Sequence, residues 1–289
     1  STQAKTLFPY TTLFRSGLSL AQNLCEHTRC PSYLSHALVS SIISSMQDSY
    51  SKIIDSKTNI MFVFAHPDDA EIYCGGLIAR LVQDGKKVKL VKMTTGNKGS
   101  RGQKITEKEL AQTRESEDQA ALKTLGLTLA DSINLNLGDG EIENNLTTIG
   151  LLVKEIRTFK PDLIVTHNPE KTLIRDLDGG YYVNHRDHRH TAEVMVDAAY
   201  PYSRDLLFYP EHIKDGLLGH SCSEFLFVDS WGHEDIIYID ITNQAEIRTQ
   251  AIACHKSQYS PDHAQGSTDF FAPEVEGKRY EQFRYVVAD

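Results

Sequence analysis

Ile60-Met61-Phe62-Val63-Phe64-Ala65-His66-Pro67-Asp68-Asp69-Ala70-Glu71-Ile72-Tyr73-Cys74-Gly75-Gly76 decides the fold. The first six residues are uniformly apolar, the pattern of a strand buried on both faces of a parallel sheet. Helical spacing follows over 70–84, with Ile72, Leu77, Ile78 and Leu81 on one face. Gly85 supplies the stop. Between strand and helix stand His66, Asp68 and Asp69, three groups able to bind a metal or move a proton. Open α/β sheets place their ligands at such strand tips.

The alternation continues outward. Residues 88–93 read as a second strand, and 94–104 as a Gly-rich loop. Thr106 with Glu109 makes a capping box that opens a helix to about 125. Strands over 132–137 and 163–166 flank a helix over 146–159. A long loop over 167–184 leads to a helix over 187–200. Two β-rich runs, 225–228 and 236–241, precede a last helix over 242–255. This order predicts an α/β fold, a Rossmann-like three-layer sandwich with a mostly parallel sheet. Its active site is expected at the C-terminal ends of the strands, where His66, Asp68, Asp69, Thr94, Thr95, Asp139, His167 and Asn168 would gather.

The chain has 289 residues and a formal net charge of −9. An acidic surface does not track a phosphate backbone, so nucleic acid is not the expected partner. No run approaches the roughly 20 apolar residues of a membrane span. Five scattered cysteines without a CxxC pair read as reduced thiols. Residues 6–16, Thr-Leu-Phe-Pro-Tyr-Thr-Thr-Leu-Phe-Arg-Ser, resemble the in-frame translation of a sequencing adapter, so residues 1–16 are expected to be an artefact. Residues 17–57 read as an N-terminal extension, helical or loose, with an amphipathic stretch over 34–46, and 58–289 as one catalytic domain. Cytoplasmic location is the default expectation, and a homo-oligomer is open.

Roughly 120 residues after the first cluster comes a second, His185-Arg186-Asp187-His188-Arg189-His190, at the start of a helix. Two such clusters read as one divided metal site. A catalytic zinc takes three protein ligands and keeps one position open. His66, Asp69 and His188 would supply two imidazoles and a carboxylate to one Zn2+ per chain, another divalent metal being the alternative. Asp68 is the natural general base. His185, three residues before His188, could protonate a leaving amine or steady an oxyanion. Asp187 would orient an imidazole from behind. Other residues carry two readings. Arg114 is a substrate contact or an ion-pair partner of Glu117 or Asp118. His167 lines the pocket or makes a structural hydrogen bond. Asp139 contacts substrate or shapes a turn, and His255 contacts substrate or caps a helix. Trp231, Tyr181 and Tyr182 stack on a sugar or simply pack.

Together these motifs resemble the PIG-L/LmbE-like zinc-dependent de-N-acetylases. The first motif stands as Ala65-His66-Pro67-Asp68-Asp69 with Glu71, the second as His185-Arg186-Asp187-His188-Arg189. Gly75-Gly76, Thr94-Thr95-Gly96, Arg114 with Glu117, Thr166-His167-Asn168-Pro169 and His255-Lys256-Ser257-Gln258 extend the match over about residues 58–260. The resemblance implies zinc on His66, Asp69 and His188, Asp68 as base and His185 as acid. It implies an N-acetylated amino sugar or its conjugate as substrate, with Arg114, Asp139, His167, Asn168, Tyr182 and His255 as candidate substrate contacts. Arg186 departs from the usual proline, and the loop 170–184 is too long to align securely. Another amide, in antibiotic or thiol-cofactor biosynthesis, is the alternative substrate. The absence of GxGxxG after the first strand argues against a nucleotide-binding protein, and the complete His66/Asp68/Asp69/His188 set against an inactive sugar binder.

Overall fold

A computed structural model describes residues 47–175, 180–231, 233 and 235–288. Residues 1–16 and the stretch 34–46 lie outside them. In chain order the elements are α1 (Tyr50–Ile54), β1 (Asn59–Phe64), α2 (Asp69–Gln83), β2 (Lys87–Thr94), α3 (Glu107–Thr124), β3 (Ser132–Leu137), α4 (Leu146–Phe159) and β4 (Leu163–Thr166). There follow β5 (Leu173–Arg175), β6 (Tyr181–Val183), α5 (Arg186–Asp197), α6 (Pro210–Lys214), β7 (Glu224–Phe227), β8 (Ile236–Asp240), α7 (Ala245–Ala253), α8 (Pro261–Phe271), β9 (Glu274–Val275) and β10 (Lys278–Val287).

The main sheet runs β3-β2-β1-β4-β7-β10-β8. The pairs from β3 to β7 are parallel, and β10 is antiparallel to both β7 and β8. Alternation along β1 divides two cores. Ile60, Phe62 and Phe64 pack with α2, α3 and α7. Met61, Val63 and Ala65 pack with α4 and α5. The expected fold class is therefore present: a mostly parallel sheet between two helical layers. Strand order reverses about β1, with β2 on one side and β4 on the other. The crevice over such a point is where doubly wound sheets bind ligands.

Local chemistry fixes several boundaries. Gly85 ends α2 at a backbone φ of +71°, with Lys86 N bonding to Leu81 O and Gly85 N to Val82 O. That doubled bond is the Schellman closure. The Thr106–Glu109 capping box opens α3 as expected. Helix α5 ends sooner than position 200, because Pro201 forces Tyr200 into extended backbone and breaks the α-helical ladder.

Three further expectations need correction. The loop 167–184 contains the antiparallel ribbon β5–β6, whose strands of three residues are too short to show a period. The helix over 242–255 begins as a 3₁₀ turn, Thr242–Gln244, before α7. It is not the last helix, since α8 follows, capped by Ser260 with Pro261 in its first turn. Strand β10 then inserts between β7 and β8, a pairing of distant segments that local pattern does not encode. In the extension, residues 47–57 hold α1, and Ser49 N bonds to Tyr238 O on the edge strand β8.

Candidate active site

The tips of β1 and β4 and the start of α5 converge on one buried carboxylate. Asp69, in the first turn of α2, meets three imidazoles. His66 Nδ1 lies 3.4 Å from Oδ2, His167 Nε2 3.3 Å from Oδ2 and His188 Nε2 3.3 Å from Oδ1. The His66 amide donates to the same carboxylate at 2.8 Å. On its other edge, His66 Nε2 faces Asp139 Oδ1 at 3.3 Å and Asp187 Oδ2 at 3.4 Å. Those acids are fixed in turn: Lys98 N donates to Asp139 and Gly140 N to Asp187.

Among the described residues, three sets bring ligand atoms within 4.8 Å of one another: His66/His185/His188, Asp69/His167/His188 and His66/Asp139/Asp187. The expected set of His66, Asp69 and His188 is spread over them and joined pairwise through Asp69. His167 therefore stands among the metal-capable groups rather than only on the pocket wall. It is fully buried and stacks on His188 at 3.9 Å. Imidazole and carboxylate in this ratio suit zinc or another divalent transition metal.

Asp68, beside this cluster, pairs with none of its imidazoles. Its backbone sits at φ 100°, in a region that side-chain-bearing residues avoid, and its carboxylate pairs with Arg114 Nη2 at 2.9 Å. Arg114 also donates to Gly96 O at 2.9 Å and to Pro67 O. Of the two readings for Arg114, neither ion pair on its own helix is made. Glu117 instead accepts from Ser257, and Asp118 pairs with Lys92. Neighbouring aspartates are thus separated by backbone conformation, one toward imidazoles and one toward a guanidinium.

The electrostatics follow the same division. Burial disfavours ionised Asp69, but His188, His167 and His66 outweigh it and hold its pKa well below the usual carboxylate range. Burial raises Asp68, with Arg114 pulling the other way. Burial and the neighbouring His188 push His167 down to about 3. Burial, then His66 and His188, lower His185. His185 caps α5, its Nδ1 accepting from Asp187 N at 3.2 Å, and its side chain is exposed beside His66.

The remaining candidates divide. Tyr182 donates to Asp229 at 2.7 Å. Asn168 is buried and ties the β4 tip to the β7 tip through Asp229 O and Ser230 Oγ. His255 is fully buried against Glu71, with Nε2 3.5 Å from Oε2, so it stands behind the site rather than on its wall. Asp229 and Ser230 after β7 escaped sequence reading, although the strand-tip rule applied to that strand would have found them. Glu71 was quoted only as part of the first motif, without a role.

With this geometry in place, the relatives become informative. Residues 61–199 match the family model described as PIG-L, GlcNAc-PI de-N-acetylase. The deacetylase YaiS of Escherichia coli, itself uncharacterized, is 31% identical over 153 residues, 50% of this chain and 71% of that protein. The chain belongs to the PIG-L family. Diacetylchitobiose deacetylase of Thermococcus kodakarensis is 24% identical over 223 residues, covering 77% of this chain and 78% of that one. Among solved structures, N,N'-diacetylchitobiose deacetylase of Pyrococcus horikoshii superposes with a TM-score of 0.70 at 23% identity, over 91% of this chain and 95% of that one. The 4-carboxy-2-hydroxymuconate hydratase GalB of Pseudomonas putida shares the fold at a TM-score of 0.63 and 17% identity, over 80% and 97%. Fold likeness therefore does not choose the chemistry. As a PIG-L member the chain is an enzyme of the deacetylase type, a hydrolase. No helix among the described residues is long and apolar enough to cross a membrane.

Proposed function

We propose that this enzyme is a zinc-dependent hydrolase that removes the acetyl group from an N-acetylated amino sugar of the N-acetylglucosamine type, or from its conjugate. The observation that carries the reading is the division between Asp69, facing three imidazoles, and Asp68, turned onto Arg114. His66, Asp69 and His188 would hold the metal, with His167 close enough to serve or to support. Bound there, zinc would supply a Lewis acid that polarises the amide carbonyl and lowers the pKa of water from about 15.7 toward about 7.

The chain's own residues account for the protons. Asp68 accepts a proton from the attacking water as oxygen adds to the carbonyl carbon. Arg114 keeps that carboxylate in place. His185, exposed at the mouth of the site, steadies the tetrahedral oxyanion, and the proton that Asp68 took from the water passes by way of His185 to the amine nitrogen as the C–N bond breaks. Acetate and free amine leave. Asp139 and Asp187 fix the orientation of His66 from behind. The names of the relatives, deacetylases of diacetylchitobiose and of an inositol glucosaminide, support the sugar assignment.

A larger amide conjugate is the second reading, favoured by the β5–β6 ribbon. It runs directly into His185 and exposes Leu173, Tyr181 and Val183 on one face. The test compares amine release from N-acetylglucosamine, diacetylchitobiose and a glucosaminide conjugate, before and after chelation. Release that vanishes on stripping and returns with zinc is expected. Asp68→Ala should lower kcat by about 10²- to 10⁴-fold while leaving bound zinc near the wild-type level. Full activity in that variant would remove Asp68 from the role assigned here.

A further inference from the structure

The turn after α7, residues 255–258, grips three separate parts of the site. His255 reaches Glu71 in the first turns of α2, and both side chains are fully buried. Ser257 donates its amide and its hydroxyl to the two carboxylate oxygens of Glu117, at 2.6 and 2.7 Å. Gln258 accepts from Arg101 Nε at 2.7 Å and donates to Gly99 O at 3.0 Å, holding the Gly-rich loop. The turn itself is closed, with Gln258 N and Tyr259 N both bonding to His255 O at 2.9 Å.

These grips bear on Asp68. Glu117 lies one helical turn beyond Arg114, so both project from the same face of α3. A doubly hydrogen-bonded carboxylate fixes the rotation of that face, because both bonds are charge-assisted. Arg114, so fixed, spends its donors on Pro67 O, the Asp68 carboxylate and Gly96 O. Asp68 needs such a hold, since its left-handed backbone is locally disfavoured. From the opposite side, Glu71 lies three residues along from Asp68 on α2, anchored by His255.

We propose that the turn 255–258 is a positioning element for the hydrolysis, holding Asp68 in place through Ser257, Glu117 and Arg114 on one side and through His255 and Glu71 on the other. Ser257 and Glu117 touch no reacting atom and are positioning residues. This rests on the assignment of Asp68 as proton acceptor. The turn lies beyond residues 61–199, the part that matches the family model.

Ser257→Ala, Glu117→Gln, the double variant and Ser257→Thr test it, with diacetylchitobiose as substrate and zinc per chain measured beside kinetics. Expected for Ser257→Ala and Glu117→Gln is a kcat lower by about 10- to 100-fold, a KM within about twofold of wild type and unchanged zinc. The double variant should lose no more than the worse single one, because the two residues form one link. Ser257→Thr, which keeps the hydroxyl, should restore kcat. Undiminished kcat in both single variants overturns the proposal, as does a loss fully accounted for by lost zinc. Should wild type release no amine, the functional reading fails by itself, and a crystal structure of Ser257→Ala then decides the positioning role. Arg114 withdrawn from Asp68 supports it; an unmoved Arg114–Asp68 pair overturns it.

Discussion

Gly96 is a residue whose side chain is excluded by the site it serves. Its φ is +63°, and a Cβ there would stand 2.2 Å from Arg114 Nη1 and 2.6 Å from Cζ. Only glycine lets the backbone carbonyl of residue 96 and the guanidinium meet. Gly96→Ala should therefore displace Arg114 as well as strain the loop. The expected outcome is a kcat reduced by about 10- to 100-fold with a stability loss of about 1–3 kcal/mol. Urea unfolding beside steady-state kinetics checks both, and wild-type kcat would show that Arg114 can hold Asp68 without this contact. The paired glycines Gly75 and Gly76 act similarly but on packing. A Cβ at Gly76 would meet Ile241 at 2.6 Å, and one at Gly75 would meet Arg248 at 3.0 Å.

At the scale of elements, two buried arginines explain how helices are seated. Arg248 on α7 pairs with Glu281 on β10 at 3.0 Å and also donates to Ile72 O. Glu281 accepts from Gly76 N and Leu77 N, both at 2.8 Å. Ile72 O and Gly76 N are one turn apart on α2, so the pair clamps the helix that carries Asp69. Arg157 on α4 is buried and donates to the carbonyls of Tyr202, Ser203, Asp205, Phe208 and Tyr209. One guanidinium thus orders the connection from α5 to α6. Arg157→Met should leave several of those carbonyls unpaired and destabilise the protein by at least about 3 kcal/mol. Arg157→Lys, with three donors in place of five, should recover part of this. Denaturant midpoints measure the loss. Limited proteolysis near Leu207, which is 94% exposed, should accelerate in the Met variant, and unchanged cleavage would show that the connection is held by other contacts.

For the whole molecule, the candidate site joins segments far apart in sequence, because β1, β3, β4 and α5 all contribute. A metal that binds this folded arrangement and not the open chain stabilises everything that builds it. At a thousandfold excess over Kd the gain is about 4 kcal/mol. Calorimetry of the chelator-stripped protein should show a lower Tm than the zinc-loaded protein, and His188→Ala should abolish most of the difference. Identical Tm values with and without zinc would argue against a metal spanning these elements. Buried charge is distributed across the same region. Lys92, 1% exposed on β2, pairs with Asp118 on α3 at 2.6 Å and donates to Ser132 on β3 at 2.8 Å.

Residues 60–76 and 185–190 carried much of this protein's identity in one dimension. A doubly buried strand must be apolar throughout, a helix must keep its period, and both reactive clusters lie at the junctions, so order and spacing were enough to announce the sheet and the site. The capping box at Thr106 and the glycine closure at Gly85 were legible for the same reason: each is satisfied within a few residues. What neighbours cannot specify was left to the tertiary structure. Position 68 had to fold before its left-handed backbone could separate two adjacent aspartates. His167 had to meet His188 across the crevice, and Arg114 had to choose Asp68 over the acids on its own helix. Ser257 and His255 reach Glu117 and Glu71 across more than a hundred residues of chain, and β10 joins β7 and β8 across several tens. Such contacts depend on burial and geometry that exist only once the sheet has closed.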